Sequence, residues 1–309
     1  MYGPDDGPKG GVPLKIEVLY GGNSPEREVS LLSGARVATA LCERGASVSL
    51  TDWQGEISSA LLRKCREADA VFLALHGGTG ENGYLQRELE ENGIRHYTGS
   101  DHDGASLAMD KPRAKAAVAA FGVPVAKAAF PGSKKSALPL SLPFIAKPTD
   151  GGSSLGFAFV RTAEEWQKLT PFRGIFCEEY LPGREFTVGV FGGRCLPAVE
   201  IRPQGGLYDY AHKYKAGAAE EICPAPLSLG ESNRLACLAM VAFRALGLRD
   251  YARIDFKEDA DGRPCFLEAN TLPGMTETSL FPLAAAKDGI PFALVCEEMA
   301  AMAAARKLK

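Results

Sequence analysis

Several chemistries are missing from this sequence before any is found in it. Eight cysteines occur in 309 residues, yet none forms a CxxC pair, and even the nearest two, Cys223 and Cys237, stand fourteen positions apart. That spacing excludes a zinc ribbon and a thioredoxin-type motif. Histidine is scarce, with four in all and none in an HExxH-like arrangement. No run is long and apolar enough to cross a bilayer: the least polar stretch, SALPLSLPFIA, is short and broken by two prolines. MYGPDDGPKGGVPLK has no apolar core and is not read as a signal peptide, so the cysteines are expected to be reduced thiols of a cytoplasmic protein. A net charge of −3 leaves no broad basic surface for a nucleic-acid backbone. Any anion must be held by a few focused cations. GGNSPE, after the first strand, is not the GxGxxG of a dinucleotide site. Internal repeats and coiled-coil heptads are absent too.

What is there is an ordinary soluble composition, 46% hydrophobic and 24% charged. The length suits two domains of roughly 150 residues, or three small ones. KIEVLYGG reads as a buried strand. Ser24-Pro25-Glu26 reads as a helix start with Ser24 as cap, and the helix VSLLSGARVATALCERG stops at Gly45. Strand ASVSLTD, helix ISSALLRKCREA and strand AVFLAL follow, a β-α-β-α-β order that implies a parallel sheet. Ligands on such sheets bind at the C-terminal strand ends, where GGNSPE and HGGTGENG fall. Helix YLQRELEENG and a short strand RHYTG complete this unit.

Around residue 100 the character changes. SLAMDKPRAKAAVAAFG reads as one helix, LPFIAKP and LGFAFV as strands joined by TDGGSS, and TAEEWQKL as a helix boxed by Thr162 and Glu165. IFCEEYL is a strand entering a Pro-Gly turn. EFTVGVF and RCLPAVEI form an antiparallel pair, and ESNRLACLAMVAFRALG is a helix before a last hairpin. The expected class is α/β and α+β. A substrate-binding parallel domain spans 1–100 with a flexible tail over 1–13, and α+β units span 101–180 and 181–309.

Four constellations carry chemistry. YARIDFKED and RPCFLEAN pair as a hairpin, so Arg253 with Asp255, and Glu268 with Asn270, share one face. Two carboxylates and an amide oxygen suit Mg²⁺, but the same residues could form a structural ion network. Spacing alone leaves both open. In IAKPTDGGSSLGF, Lys147 precedes a loop whose glycines allow backbone N–H groups to cradle phosphate. A plain hairpin loop has the same composition. CEEYLPGRE sets Glu178, Tyr180 and Glu185 about a turn, which could serve a nucleoside or simply face water. YDYAHKYK alternates tyrosines with charge in a Gly-flanked loop.

GGNSPEREVSLLSG, ALHGGTGENGYLQ, MDK, AKPTDGGSSLG, EEYLPGREFTV, YDYAHKY, ARIDF and EANTLPGMTETSL occur in this order. Together they resemble the D-alanine–D-alanine ligases of the ATP-grasp superfamily, from about residue 14 to about 300. The resemblance implies an ATP-grasp fold preceded by a parallel-sheet N-terminal domain, acting in peptidoglycan synthesis. One D-alanine carboxylate is phosphorylated by ATP, and the amine of a second attacks the acyl phosphate. It implies two Mg²⁺ ions, replaceable by Mn²⁺, on Asp255, Glu268 and Asn270. Arg253 and the Gly274 N–H would stabilise the tetrahedral intermediate. Lys111, Lys147 and Lys213 would hold phosphates, with a flap at Ser153 and Ser154. Glu178, Tyr180, Leu181 and Glu185 would form the adenosine pocket. Glu26 would receive the first ammonium, with His76 nearby, and Ser279 with the Leu280 backbone would take the second carboxylate. Ser153 and Tyr214 would link Glu26 to the flap. Tyr214 favours the amide product over a D-lactate ester. A homodimer is the family expectation, with no nucleic acid or membrane partner. The alternatives are a ligase using D-lactate or D-serine in the second site, and a non-catalytic nucleotide-binding protein that keeps the fold.

Overall fold

The computed structural model describes residues 13–131, 138–149, 157–169, 174–203, 219–276 and 278–307. Lys15–Gly21 (β1), Ser47–Trp53 (β2) and Ala70–Leu73 (β3) pair in parallel in the order β2-β1-β3. Helices Arg27–Glu43 (α1) and Ser59–Glu67 (α2) make the crossovers. β1 and β3 are almost wholly buried because helices cover both faces of a parallel sheet. The chain leaves α1 through Gly45, whose φ of 83° is the left-handed C′ conformation.

Two local readings need correction. α1 starts at Arg27, with Glu26 rather than Ser24 in the cap position. The Ser24 hydroxyl is used elsewhere: it donates to the His76 carbonyl at 2.5 Å and accepts from the Glu26 amide at 3.1 Å. RHYTG is not a strand, since its pairing is the single bridge of Val71 with Tyr97. HGGTGENG also contains a helical turn, Gly78–Glu81 (α3), ahead of helix Tyr84–Glu91 (α4).

SLAMDKPRAKAAVAAFG folds as two helices, His102–Met109 (α5) and Lys111–Ala120 (α6). Asp110, with ψ of 93°, breaks the run, and its carboxylate accepts the Arg113 amide at 3.0 Å. An Asp cap followed by Pro112 in the first turn is a strong start signal inside an otherwise continuous pattern. Ala128–Ala129 (β4), Phe144–Pro148 (β5), Ala158–Val160 (β6) and Ile175–Glu179 (β7) form an antiparallel sheet in the order β4-β7-β5-β6, with Ala163–Lys168 (α7) beside it. The Thr162 hydroxyl caps α7, and the Glu165 carboxylate reaches back to the Arg161 amide.

The third sheet contains Glu185–Phe191 (β8), Arg194–Cys195 (β9), Val199–Pro203 (β10), Ala219–Ile222 (β11), Tyr251–Glu258 (β12) and Pro264–Asn270 (β13). Its order is β11-β10-β8-β12-β13, with β9 paired to β8. RCLPAVEI thus splits into β9 and β10 around Pro197, which has no N–H to give a ladder. Leu229–Ala245 (α8) begins at a Ser228–Glu231 capping box, ahead of the start read from sequence. Helices Leu280–Lys287 (α9) and Phe292–Ala304 (α10) end the fold. Val295, Met299 and Ala303 of α10 share one buried cluster with Ile16, Val18 and Phe72 of the first sheet. Each such large side chain contributes about 1.5–3 kcal/mol on burial. Through this cluster the chain's last helix is fixed to its first sheet, and the segment after β13 meets α1 at Ser33 and the chain just past β3 at His76.

Candidate active site

The site grows from the β12–β13 hairpin. Antiparallel register puts Arg253 opposite Asn270 and Asp255 opposite Glu268, so all four side chains leave one face. A register shift just after Asp255 marks a bulge, a common device for aiming side chains. The Arg253 guanidinium forks onto Asp255, Nε to Oδ1 and Nη2 to Oδ2, both at 3.0 Å. Thr187 on β8 also donates to Asp255 Oδ1, at 2.6 Å. A carboxylate has about four acceptor positions, so Oδ2 keeps capacity for another partner. Asn270 Oδ1 is buried without a hydrogen-bond partner. Among the described residues no trio of His, Cys, Asp or Glu is grouped to hold a metal. An amide oxygen would therefore have to complete the set. The donors available, two carboxylates and an orphaned amide oxygen, fit a hard divalent cation.

On one side of this hairpin stand the lysines. Lys111, the first residue of α6, lies with Nζ 3.7 Å from Glu268 Oε2. Lys147 on β5 pairs with Glu178 on β7 and sits over the Phe176 ring. A third, unanticipated cation completes the group: Lys115 Nζ is 2.7 Å from Glu178 Oε1 and donates to the Phe266 carbonyl at 2.8 Å. Burial opposes ionisation of Glu178, but the two lysines outweigh it and hold the carboxyl below its ordinary range. Burial lowers the Lys115 ammonium to about 8 despite Glu178. Tyr180 packs on Phe159 with ring centroids 4.8 Å apart, Leu181 is buried with Ala126 and Cys265, and Glu185 pairs with Lys257 at 3.0 Å.

On the other side stand groups from the first sheet. Glu26 occupies the cap position of α1, where the helix dipole favours a negative charge. Gly77 has φ of 65°, and a Cβ there would collide with the Glu26 carboxylate. His76 is buried; its Nδ1 lies 3.0 Å from the Leu272 carbonyl and its Nε2 2.9 Å from Ser33 Oγ. Burial lowers its basicity, so the ring is neutral near pH 7. Glu81 accepts the Gly77 amide at 2.9 Å. Burial first, and the nearby Glu26 charge second, raise its carboxyl to about 7. Arg253 and Glu268 act on Glu81 as well, so the two sides share one electrostatic field. After β13, Ser279 occupies the cap position of α9, and its Oγ accepts the Thr276 amide at 3.0 Å. A Cβ on Gly274 would lie 2.6 Å from that oxygen, so the Gly274 backbone and the Ser279 hydroxyl are immediate neighbours. Leu280 opens α9 and is buried.

The site residues Ser153, Ser154, Lys213 and Tyr214 lie outside the described residues. Lys115, Glu81, Thr187 and Ser33 escaped the sequence reading. Lys115 had a signal, since it follows Lys111 by one helical turn and so shares its face. Thr187 had none, because only the β8–β12 register brings it opposite Asp255.

Comparison with known proteins agrees in kind. The family model described as D-ala D-ala ligase C-terminus matches residues 120–300. The D-alanine--D-alanine ligase of Methylacidiphilum infernorum is 39% identical, covering 93% of this chain and 95% of its own. The crystal structure of D-alanine--D-alanine ligase from Bacillus anthracis superposes with a TM-score of 0.81 at 30% identity, over 95% of this chain and 98% of that one. The same enzyme complexed with ATP gives 0.80 at 28% identity, over 96% and 98%. The VanG D-Ala:D-Ser ligase of Enterococcus faecalis gives 0.76 at 26% identity, over 94% of this chain and all of its own.

Proposed function

The chain belongs to the D-alanine–D-alanine ligase family and joins two D-alanines at the expense of ATP, and we propose that the hairpin face of Arg253, Asp255, Glu268 and Asn270 is where the reaction takes place. The observation that carries this reading is the buried Asn270 Oδ1 left without a partner beside two acids in register. Asp255, Glu268 and Asn270 would hold Mg²⁺, or Mn²⁺ in its place, as a pair of ions. The bound ions would supply charge neutralisation on the transferring phosphate.

The chain's own residues do the rest. Lys111 and Lys147, with Lys213 outside the described residues, bind phosphate oxygens, and Ser153 and Ser154 are assigned to the flap that the family resemblance implies. Glu178, Tyr180, Leu181 and Glu185 receive the adenosine. Glu178 stays ionised there because Lys115 and Lys147 flank it. Glu26 binds the ammonium of the first D-alanine and so orients its carboxylate toward the γ-phosphate. The amine of the second D-alanine, its carboxylate held at Ser279 and the Leu280 backbone, attacks the acyl phosphate. Arg253 and the Gly274 N–H stabilise the resulting oxyanion, an effect on the order of 10²–10³ in rate for one such donor. Closure that links Glu26, Ser153 and Tyr214 keeps water from the acyl phosphate.

We assign the three sheets to units over 1–100, 101–180 and 181–309. We place the protein in the cytoplasm as a homodimer serving peptidoglycan synthesis; among the described residues no helix is long and apolar enough to cross a membrane. The test is phosphate release from ATP with D-alanine and none with L-alanine alone, together with product analysis under D-lactate and D-serine competition. Phosphate release that ignored the amino acid would overturn the reading. A D-serine product would move the second site toward the chemistry named for the VanG relative.

A further inference from the structure

Ser33 stands on α1 seven residues, or two turns, beyond Glu26, and its side chain is wholly buried. Its Oγ accepts the Met275 amide at 3.3 Å and lies 2.9 Å from His76 Nε2. His76 Nδ1 lies 3.0 Å from the Leu272 carbonyl. A carbonyl can only accept, so Nδ1 carries the proton and Nε2 is left as acceptor for the Ser33 hydroxyl. The chain of donors is therefore directional: Met275 N–H to Ser33, Ser33 O–H to His76, His76 N–H to Leu272. Both ends fall on one short segment, and Pro273 and Gly274 lie between them. Leu272 and Met275 are themselves buried, so neither backbone group has water as a substitute partner.

Resting on the ligase reading above, we propose that Ser33 is a positioning residue for the reaction: through His76 it fixes the Leu272–Met275 segment so that the Gly274 N–H faces the developing oxyanion. Glu26 holds the cap position of the same helix, so one rigid element sets both the ammonium receptor and the oxyanion donor. Loss of the Ser33 hydroxyl strands the Met275 amide and His76 Nε2 and frees the segment to shift. Displacements near 1 Å at a reacting centre lower rates by about 10²-fold.

Ser33→Ala is compared with Ser30→Ala on the full-length protein. Ser30 is an equally buried helix serine that bridges the Gly21 amide and the Ala74 carbonyl instead. The readouts are kcat, the KM for ATP, thermal unfolding, and inhibition by a phosphinate dipeptide that mimics the tetrahedral intermediate. Ser33→Ala should lose about 10–100-fold in kcat and the same factor in affinity for the mimic, with the KM for ATP within about 2-fold. Ser30→Ala should lower stability without that paired loss. Should Ser33→Ala not fold, Ser33→Cys is judged by the same criteria. Unchanged kcat, or a loss of kcat with undiminished affinity for the mimic, overturns the proposal while an active wild type leaves the ligase reading intact. A wild type that makes no dipeptide overturns both.

Discussion

Replacing Glu81 by glutamine tests the electrostatics around Glu26 directly. Glu81 is buried beside Glu26, and its carboxyl is raised to about 7 from an ordinary 4.5. Between those values the folded protein keeps a proton that the unfolded chain has released. Stability contributed by this group is therefore present below pH 4.5, falls as pH rises, and is gone above about 7. Each tenfold difference in proton affinity between the folded and unfolded chain is worth about 1.36 kcal/mol, so the loss between pH 5 and pH 8 is on the order of 2 kcal/mol. Glutamine copies the neutral acid in shape and still accepts the Gly77 amide, which in the wild type lies 2.9 Å from Oε2. The stability of Glu81→Gln relative to wild type should therefore grow by ~2 kcal/mol over that range, other titrating groups cancelling in the difference. Urea unfolding without nucleotide measures it. Trp53 is buried in the cluster that includes Leu73 and Leu75, just before Glu81 in the chain. With Trp166→Phe it becomes the sole tryptophan reporter. A difference that stays constant from pH 5 to pH 8 refutes the reasoning.

Other outcomes follow from the same geometry. Asn270→Leu removes the orphaned buried oxygen, so turnover with Mg²⁺ should fall at least ~100-fold while thermal stability holds or rises; a variant with near-full turnover would remove Asn270 from the metal set. Lys115→Met leaves Glu178 with Lys147 alone and should destabilise by about 3 kcal/mol, with Glu178→Gln in the same chain recovering part of it; denaturant unfolding of both reads this. Gly77→Ala forces a side chain into a left-handed backbone and against Glu26, and should raise the KM for the first D-alanine more than tenfold with little change for ATP. Tyr214→His, outside the described residues, should turn acceptor preference from D-alanine toward D-lactate in a competition assay.

Much of the fold was legible because its elements carry their own punctuation. The β1-α1-β2-α2-β3 unit follows from short apolar strands, a helical run between each pair and a Gly45 stop; the Ser58 hydroxyl that accepts the Leu61 amide at 3.1 Å adds a cap the sequence reading did not use. The β12–β13 hairpin follows from a DG turn between two apolar runs, and the shared face of Arg253, Asp255, Glu268 and Asn270 from the period of a strand. What was not legible depends on register between distant strands or on a third element. Thr187 meets Asp255 only because β8 lies beside β12, and Lys115 meets Glu178 only because the fold brings α6 within reach of β7.

The local misreadings have a common cause. Ser24 looks like a cap, but its hydroxyl is drawn to the His76 carbonyl, and Glu26 takes the cap position of α1. Asp110 interrupts an apolar pattern that would otherwise run on, and the interruption sets Lys111 at a helix N-terminus, against the dipole. Gly77 adopts φ of 65° where it meets the Glu26 carboxylate. Of these, the Lys111 charge at a helix N-terminus is the one that opposes the preference of its own segment. Each places a charged group, or the backbone against one, near the proposed site. A sequence specifies structure when local preference and global fold agree, and it departs from that agreement where function requires. The departures here gather around Glu26, Gly77 and Lys111, in keeping with the site proposed from the hairpin acids.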